Sequence, residues 1–231
     1  MLKNKVIITQ SNYIPWKGYF TTMRKATHFV VYDEVQYTKR DWRNRNKIIT
    51  PSGPRWLSIP VKVSGRYEQR IKETEISDQT WGEQHWNVIE QNYRKAPHFR
   101  EYAPHFRDLY LDKKYNLLSD INLSFLKRIT ELLGFKIEFV DSSQFPIEEA
   151  NNSTSRLVEI CKHLDADEYF TGPAAMNYIM PESFAEKEIK LSYYDLEGFP
   201  SYQQQWEGFE HKVSILDMFF NLGDKTPQYF N

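Results

Sequence analysis

Cysteine is nearly absent. Cys161 is the one thiol in 231 residues, so no disulfide can close within the chain, and a reducing, cytoplasmic setting is expected. An excess of either charge is absent too: 30 Lys and Arg face 31 Asp and Glu, a formal net charge of −1. That balance excludes a polybasic membrane binder or a nucleic-acid coat as the character of the whole molecule, while leaving room for a local basic cleft. No apolar run approaches the ~20 residues a membrane-crossing helix needs, and the mean hydropathy is −0.67. The N-terminal residues hold only a short apolar core and read as a first strand, not a secretory signal. Glycine (9) and proline (11) are scattered, with no repeat, low-complexity tract or Gly/Ser linker. No P-loop, Gly-x-Gly-x-x-Gly fingerprint or Gly-x-Ser-x-Gly elbow occurs. No pair among the six histidines has metal-ligand spacing, so no metal site is expected.

What is abundant is aromatic side chains: 6 Trp, 15 Tyr and 15 Phe make 16% of the residues. Most suit a core. Several, however, stand beside donors, as in Asp41-Trp42-Arg43-Asn44-Arg45, a mixture that fits a cleft for a planar or sugar-like ligand.

The length fits a single α/β domain over residues 1–231. Val6 to Gln10 is a β-rich apolar stretch, followed by a Ser/Asn/Pro/Gly loop, a helix over about 18–26 and a second strand at His28–Asp33. That is a βαβ unit, whose strands are parallel with a right-handed crossover. Residues 47–63 read as a hairpin around Pro51-Ser52-Gly53-Pro54. Residues 81–133 read as mainly helical, broken near Pro97 and Pro104, with Gly134 as a helix stop. Strand and helix then alternate: a strand at 136–140, a helix at 153–164 capped by Ser or Thr, and a strand at 168–171. A helical stretch at 174–188 interrupted by Pro181, a strand at 189–194 and a helix at 213–222 ending at Gly223 complete the chain. The expected architecture is a parallel-sheet core with a β-hairpin and a mainly helical insertion over residues 64–135.

Ligands of open parallel sheets bind beyond the carboxyl ends of the strands, and polar clusters stand at those ends. Gln10, Asn12, Tyr13, Trp16 and Lys17 follow the first strand. Asp33, Glu34, Gln36, Tyr37, Lys39, Arg40, Trp42, Arg43, Asn44 and Arg45 follow the second, Asp141 to Ser143 the third, and Thr171 and Gly172 the fourth. The basic run 39–47 reads either as a solvated loop or as a phosphate or carboxylate clamp built on Arg40, Arg43 and Arg45. It is short and comes without a zinc-finger or helix-turn-helix signature, so nucleic acid is not the expected partner. Ser155 and Arg156 open a helix that can either be capped there or hold an anion. Small residues after Thr171 let a ligand approach the backbone. Asp33 and His85 are the candidate acid–base groups, although a surface or capping role suits His85 as well. Cys161 sits within a helical pattern as a buried small hydrophobe.

The segment Gln10 to Phe20 also has the layout of nucleotidyltransferases with a His-x-Gly-His signature. Trp16 and Tyr19 stand where the two histidines would be, and Gly18 keeps the glycine. The implied fold is a nucleotidyltransferase-like Rossmannoid without the catalytic imidazoles.

Four pieces together resemble the WbqC-like protein family: Gln10 to Phe20, Tyr32 to Asn46, Tyr169-Phe170-Thr171-Gly172-Pro173 and Ser214-Ile215-Leu216-Asp217. Members are associated with O-antigen and other surface-polysaccharide gene clusters, and glycine transfer onto glycans has been suggested for some. The resemblance implies a transferase of glycan biosynthesis, attaching an amino acid such as glycine to a nucleotide-linked amino sugar or related precursor. ATP or a nucleotide-linked substrate is the group such a scaffold would take, with Gln10, Tyr13 and Gln36 orienting the acid or sugar. Two other readings stay open: a non-catalytic carbohydrate- or nucleotide-binding protein, and a nucleic-acid-associated protein using the 39–47 patch.

Overall fold

The computed structural model describes residues 3–145, 152–195 and 198–230. Five strands form one parallel sheet: β1 (Lys5–Thr9), β2 (His28–Val31), β5 (Glu138–Asp141), β6 (Glu168–Thr171) and β7 (Lys190–Tyr193). Their spatial order is β5-β2-β1-β6-β7, and every neighbouring pair is parallel. The chain therefore builds outward from β1 to one edge through β2 and β5, then returns to the other side for β6 and β7. The direction of winding reverses between β1 and β6, the position at which open parallel sheets bind ligands.

Strand side chains alternate between faces, and the two faces carry different loads. Ile7, Phe29 and Val31 point into one large core. It is shared with Phe20 and Met23 of α1 (Lys17–Met23), with α2 (Trp81–Tyr93), α3 (Phe99–Leu111) and α4 (Leu118–Leu132), and with α7 (Leu216–Leu222). Val6, Ile8, Val30, Val140 and Tyr169 point to a smaller core. There they meet Leu157, Val158, Ile160 and Cys161 of α5 (Ser153–His163) and Phe184 of α6 (Pro181–Ala185). The result is three layers, helices covering both faces of the sheet. Cys161 is fully buried there, and burial pushes its thiol pKa up, which keeps it an unreactive hydrophobe.

The antiparallel hairpin is β3 (Arg45–Thr50) with β4 (Gly53–Ser58), turning at Pro51-Ser52. It stands apart from the main sheet. Its inward residues Ile48 and Leu57 join the large core.

Several expected boundaries shift for local reasons. The break at Pro97 occurs, but Pro104 lies inside α3. A proline there forfeits one bond to the carbonyl four residues back. That carbonyl belongs to exposed Arg100, where water can satisfy it. The real second break is at 112–117, before α4. Helix α5 is capped by Asn152, not by Ser or Thr: Asn152 Oδ1 accepts from the Ser155 amide at 2.9 Å, and Ser155 Oγ accepts from the Asn152 amide at 3.1 Å. The stretch 174–188 resolves into a 3-10 turn (Pro173–Asn177) and the short α6. Gly134 and Gly223 do end helices, at φ +70° and +58°.

Candidate functional site

A cavity of about 510 Å³ opens at the reversal point between β1 and β6. Thr9 and Gln10 form its β1 side, and Thr171 and Gly172 its β6 side. Asn152, Ser153 and Arg156 reach it from the first turn of α5, and Tyr32, Tyr178 and Tyr194 complete the polar wall. The volume falls in the ~300–1,000 Å³ range of small-molecule sites. A larger depression of about 660 Å³ lies between α2 and the end of α3, but no strand contributes to it. Position at the strand ends, not volume, singles out the first.

The chemistry of the lining favours an anion. Among the described lining residues Arg156 is the one cation, and no Asp or Glu occurs. Arg156 stands on the first turn of a helix whose dipole adds positive potential there. Tyr178 and Tyr194 have pKa values raised first by burial and then by neighbouring tyrosines, so both are neutral hydroxyls able to donate. Gly172 lets Tyr194 approach: a Cβ on Gly172 would stand 3.1 Å from Tyr194 Oη.

Gln10 is held from two sides. Tyr19 Oη donates to its carbonyl at 2.8 Å, and Arg43 Nη2 donates to its side-chain oxygen at 3.0 Å. A guanidinium offers donors and no acceptor, so the Gln10 amide oxygen faces Arg43. The Nε2 donors of Gln10 are left for the cavity. Arg43 also donates to Asn12 Oδ1 and lies 3.8 Å from Asp41. It therefore acts at the cavity through Gln10.

Of the candidates read from sequence, Gln10, Arg156, Thr171 and Gly172 line this one cavity, with Asn12, Tyr19 and Arg43 immediately behind Gln10. The others are elsewhere. Asp33 is buried as a tie between segments: Oδ1 accepts from the Ser11 amide at 2.8 Å, and Oδ2 from Ser11 Oγ at 2.7 Å and Ser119 Oγ at 2.6 Å. Three hydrogen bonds on the two carboxylate oxygens serve the fold. His85 is likewise a core residue. Its Nε2 meets the Ser58 carbonyl at 3.2 Å, an acceptor, so Nε2 carries the proton and Nδ1 accepts from Tyr13 Oη at 2.8 Å. Tyr13 in turn accepts from Tyr110 Oη at 2.8 Å. Burial pulls the His85 pKa down to about 4, so the ring stays neutral. His85, Asp33 and Tyr13 are thus buried and hydrogen-bonded within the fold, away from the lining of this cavity.

The basic run is not one clamp. Arg45 lies over the Trp56 ring at 4.2 Å and donates to the Arg40 carbonyl, and Lys47 stands over the same ring at 5.5 Å. Trp42 packs on Trp56 with centroids 5.3 Å apart. Asn44 donates to the Ile59 carbonyl at 2.8 Å, tying the hairpin to the chain beyond it. Gln36, Tyr37 and Lys39 line a separate cavity of about 270 Å³ with Val63, Arg66 and Tyr67. Burial raises the Tyr37 pKa to about 12. Trp16 is spent on packing: its ring abuts Phe199 at 5.5 Å and covers Gly18, where a Cβ would come within 2.2 Å of it. Ser155 is spent on the α5 cap.

The sequence profile of the WbqC-like protein family covers residues 10–229. The chain belongs to that family. An uncharacterised protein of Mycobacterium tuberculosis (strain ATCC 25618 / H37Rv), Rv1507c, is 43% identical over 225 residues, which span 97% of this chain and 96% of that protein. No solved structure matches the chain with significance. For this WbqC-like chain, no group of three or more His, Cys, Asp or Glu side chains that could hold a metal ion gathers among the described residues. No helix among the described residues is long and apolar enough to cross a membrane.

Two polar residues of this family member carry more than their sequence context suggests. Lys17 is only 3% exposed. Its Nζ donates to the Pro200 carbonyl at 3.1 Å and faces the rings of Phe199, Tyr202 and Phe209 at 5.3–5.4 Å. Burial lowers its pKa to about 8, against the opposing pull of Asp217. Asp217 accepts from Tyr93 at 2.8 Å, Tyr202 at 2.7 Å and Gln204 at 2.9 Å. Together they fasten the segment around 199–212 to α1, α2 and α7. The cavity tyrosines Tyr32, Tyr178 and Tyr194 were also not singled out by sequence. Each follows a strand or a turn at the same sheet rim, which is the signal that marks them.

Proposed function

We propose that this WbqC-like protein binds a phosphate-linked amino-sugar or related glycan precursor in the β1/β6 cavity and acts on it as a transferase, with an amino acid such as glycine as the transferred group. The observation that carries the reading is the cavity itself. It lies at the winding reversal of a parallel sheet and offers Arg156, the Gln10 amide donors and several hydroxyls, with no carboxylate in its described lining. A phosphate or diphosphate finds there a guanidinium, a helix start and neutral donors. Family membership and the association of such families with glycan clusters supply the substrate class.

The groups in the described lining position and stabilise; Tyr178 and Tyr194 donate hydrogen bonds to a bound oxyanion but are too weakly acidic to exchange protons readily at neutral pH. Rate enhancement would come from holding an activated donor against an amine acceptor and stabilising developing negative charge. ATP or a nucleotide-linked donor would supply the activation.

One observation favours a second reading, a non-catalytic binding protein of the same pathway: both acid–base candidates, Asp33 and His85, are committed to the core. Incubation with ATP, glycine and a panel of nucleotide-linked amino sugars, read by mass spectrometry, separates the two. A product carrying the added aminoacyl group, lost in Arg156→Ala, supports the transferase. Binding without product under every donor leaves the binding protein.

A further inference from the structure

Six large hydrophobic side chains stand exposed among the described residues, and three of them fall within five positions: Met176, Tyr178 and Met180, at 57%, 57% and 44% exposure. The local backbone explains the clustering. Tyr178 leaves the 3-10 turn at φ −142° and ψ −15°, and the amides of Tyr178 and Ile179 both donate to the Ala175 carbonyl, while Ala175 and Ile179 themselves are buried in the smaller core at 3% and 6% exposure. Met176, Tyr178 and Met180 are the side chains left outside as Ala175 and Ile179 turn inward. Of the other three, Trp42 and Trp56 pack on each other with Arg45 over the Trp56 ring, and Tyr67 stands apart at the 270 Å³ cavity. The Met–Tyr–Met strip puts apolar surface beside a polar cavity.

The strip is joined to the cavity at two points. Tyr178 belongs to both, lining the cavity while standing on the strip. The Thr154 hydroxyl donates to the Tyr178 carbonyl at 3.4 Å and accepts from the Met180 amide at 3.3 Å. This pins the strip to the first turn of α5, the turn that carries Ser153 and Arg156 into the cavity. A cation and an apolar track are therefore placed side by side on one piece of backbone. Methionine side chains adapt to flexible apolar partners.

We propose that the ligand is amphiphilic: an anionic phosphate or diphosphate head sits in the β1/β6 cavity, and a linear hydrocarbon chain attached to it lies along Tyr178, Met176 and Met180. The inference rests on the reading of the cavity as an anion site and narrows it, from phosphate-linked precursors in general to chain-linked ones. A head-only ligand would use Arg156 and leave the strip bare. A membrane surface would use the strip and have no need of the cavity.

Titration with inorganic diphosphate, geranyl diphosphate, farnesyl diphosphate and UDP, each below its micelle-forming concentration, tests this on the intact protein. The expected order is rising affinity with chain length, with farnesyl diphosphate at least tenfold tighter than inorganic diphosphate. The double variant Met176→Ser, Met180→Ser should lose that gain and keep the inorganic diphosphate affinity and the melting temperature. Equal affinity for the headgroup with and without a chain, or a chain-length gain that survives the double variant, would overturn the proposal while leaving the anion site standing. If no diphosphate binds, or Arg156→Ala changes nothing, the cavity reading fails and this inference with it. Binding to anionic vesicles that is indifferent to Arg156→Ala, without binding of dissolved farnesyl diphosphate, would assign the strip to a membrane surface and also overturn the proposal.

Discussion

Replacing His85 separates a core histidine from a catalytic one. In the folded protein the ring is buried, its pKa lies near 4, and its two nitrogens meet Ser58 and Tyr13. In the unfolded chain the pKa returns to about 6.5. The folded value is the depressed one, so this contribution to stability is complete above pH 6.5. It is lost as pH falls from 6.5 towards 4, because only the unfolded chain takes up the proton in that window. At 1.36 kcal/mol per pKa unit the loss totals about 3 kcal/mol, of which about 2 kcal/mol has gone by pH 5. His85→Gln keeps an amide donor for Ser58 and an acceptor for Tyr13 but cannot titrate. Urea unfolding of both proteins between pH 7.5 and 4.5 gives the difference directly, since other groups cancel between them. The variant should start about 1 kcal/mol less stable at pH 7.5 and should close or reverse that gap by pH 5, while diphosphate binding at pH 7.5 stays unchanged. Parallel pH profiles, or lost binding or turnover at full stability, would refute the assignment of His85 to the core.

Other substitutions sort the remaining candidates. Asp33→Ala strands the buried Ser11 amide and two hydroxyls; at ~1–3 kcal/mol per unsatisfied group, chemical denaturation should show a loss of about 3 kcal/mol, with Asp33→Asn recovering most of it. Arg43→Ala frees the Gln10 side chain, and calorimetry should record about tenfold weaker diphosphate binding, the equivalent of one hydrogen bond, with the fold intact. Arg45→Ala, which uncovers Trp56 and removes the donor to the Arg40 carbonyl, both away from the cavity, should leave that affinity within about twofold, a difference worth ~0.4 kcal/mol. Gly172→Ala should shift Tyr194 by a few tenths of an ångström and weaken binding, with stability changed by less than about 1 kcal/mol in thermal melts, because the backbone there is ordinary and only a side chain must yield.

Much of the fold could be read from periodicity. The β1-α1-β2 unit, the hairpin and the later strand–helix alternation follow from apolar runs of strand length and helical spacing, whose signals are local. Pro104 misleads because the ~3 kcal/mol an interior proline costs a helix is outweighed here by burial of Phe99, Ala103, Phe106, Leu109 and Tyr110, and burial is not local information. The site was legible as a rim but not as a roster. Polar residues at strand ends serve equally well as ligand groups or as ties between segments, and nothing in the sequence distinguishes Gln10 from Asp33. Tertiary packing decides: Asp33 meets Ser119 from the far helix α4, whereas Gln10 faces open space. The basic run was split by the pleat. Arg45 and Lys47 share one face of β3 and both meet Trp56, while Asn46 between them is buried, donating to the carbonyls of Tyr13 and Ile14. Lys17 and Asp217 needed the fold to meet, since they lie at opposite ends of the chain.

The most direct test is a structure of the protein soaked with a phosphate-linked ligand that it binds. Density for the phosphate between Arg156, Gln10 and Thr171 is the predicted result. Density in the hollow beside Lys39 and Tyr67, or against the Trp42–Trp56 pair with the sheet-end cavity empty, would contradict the account.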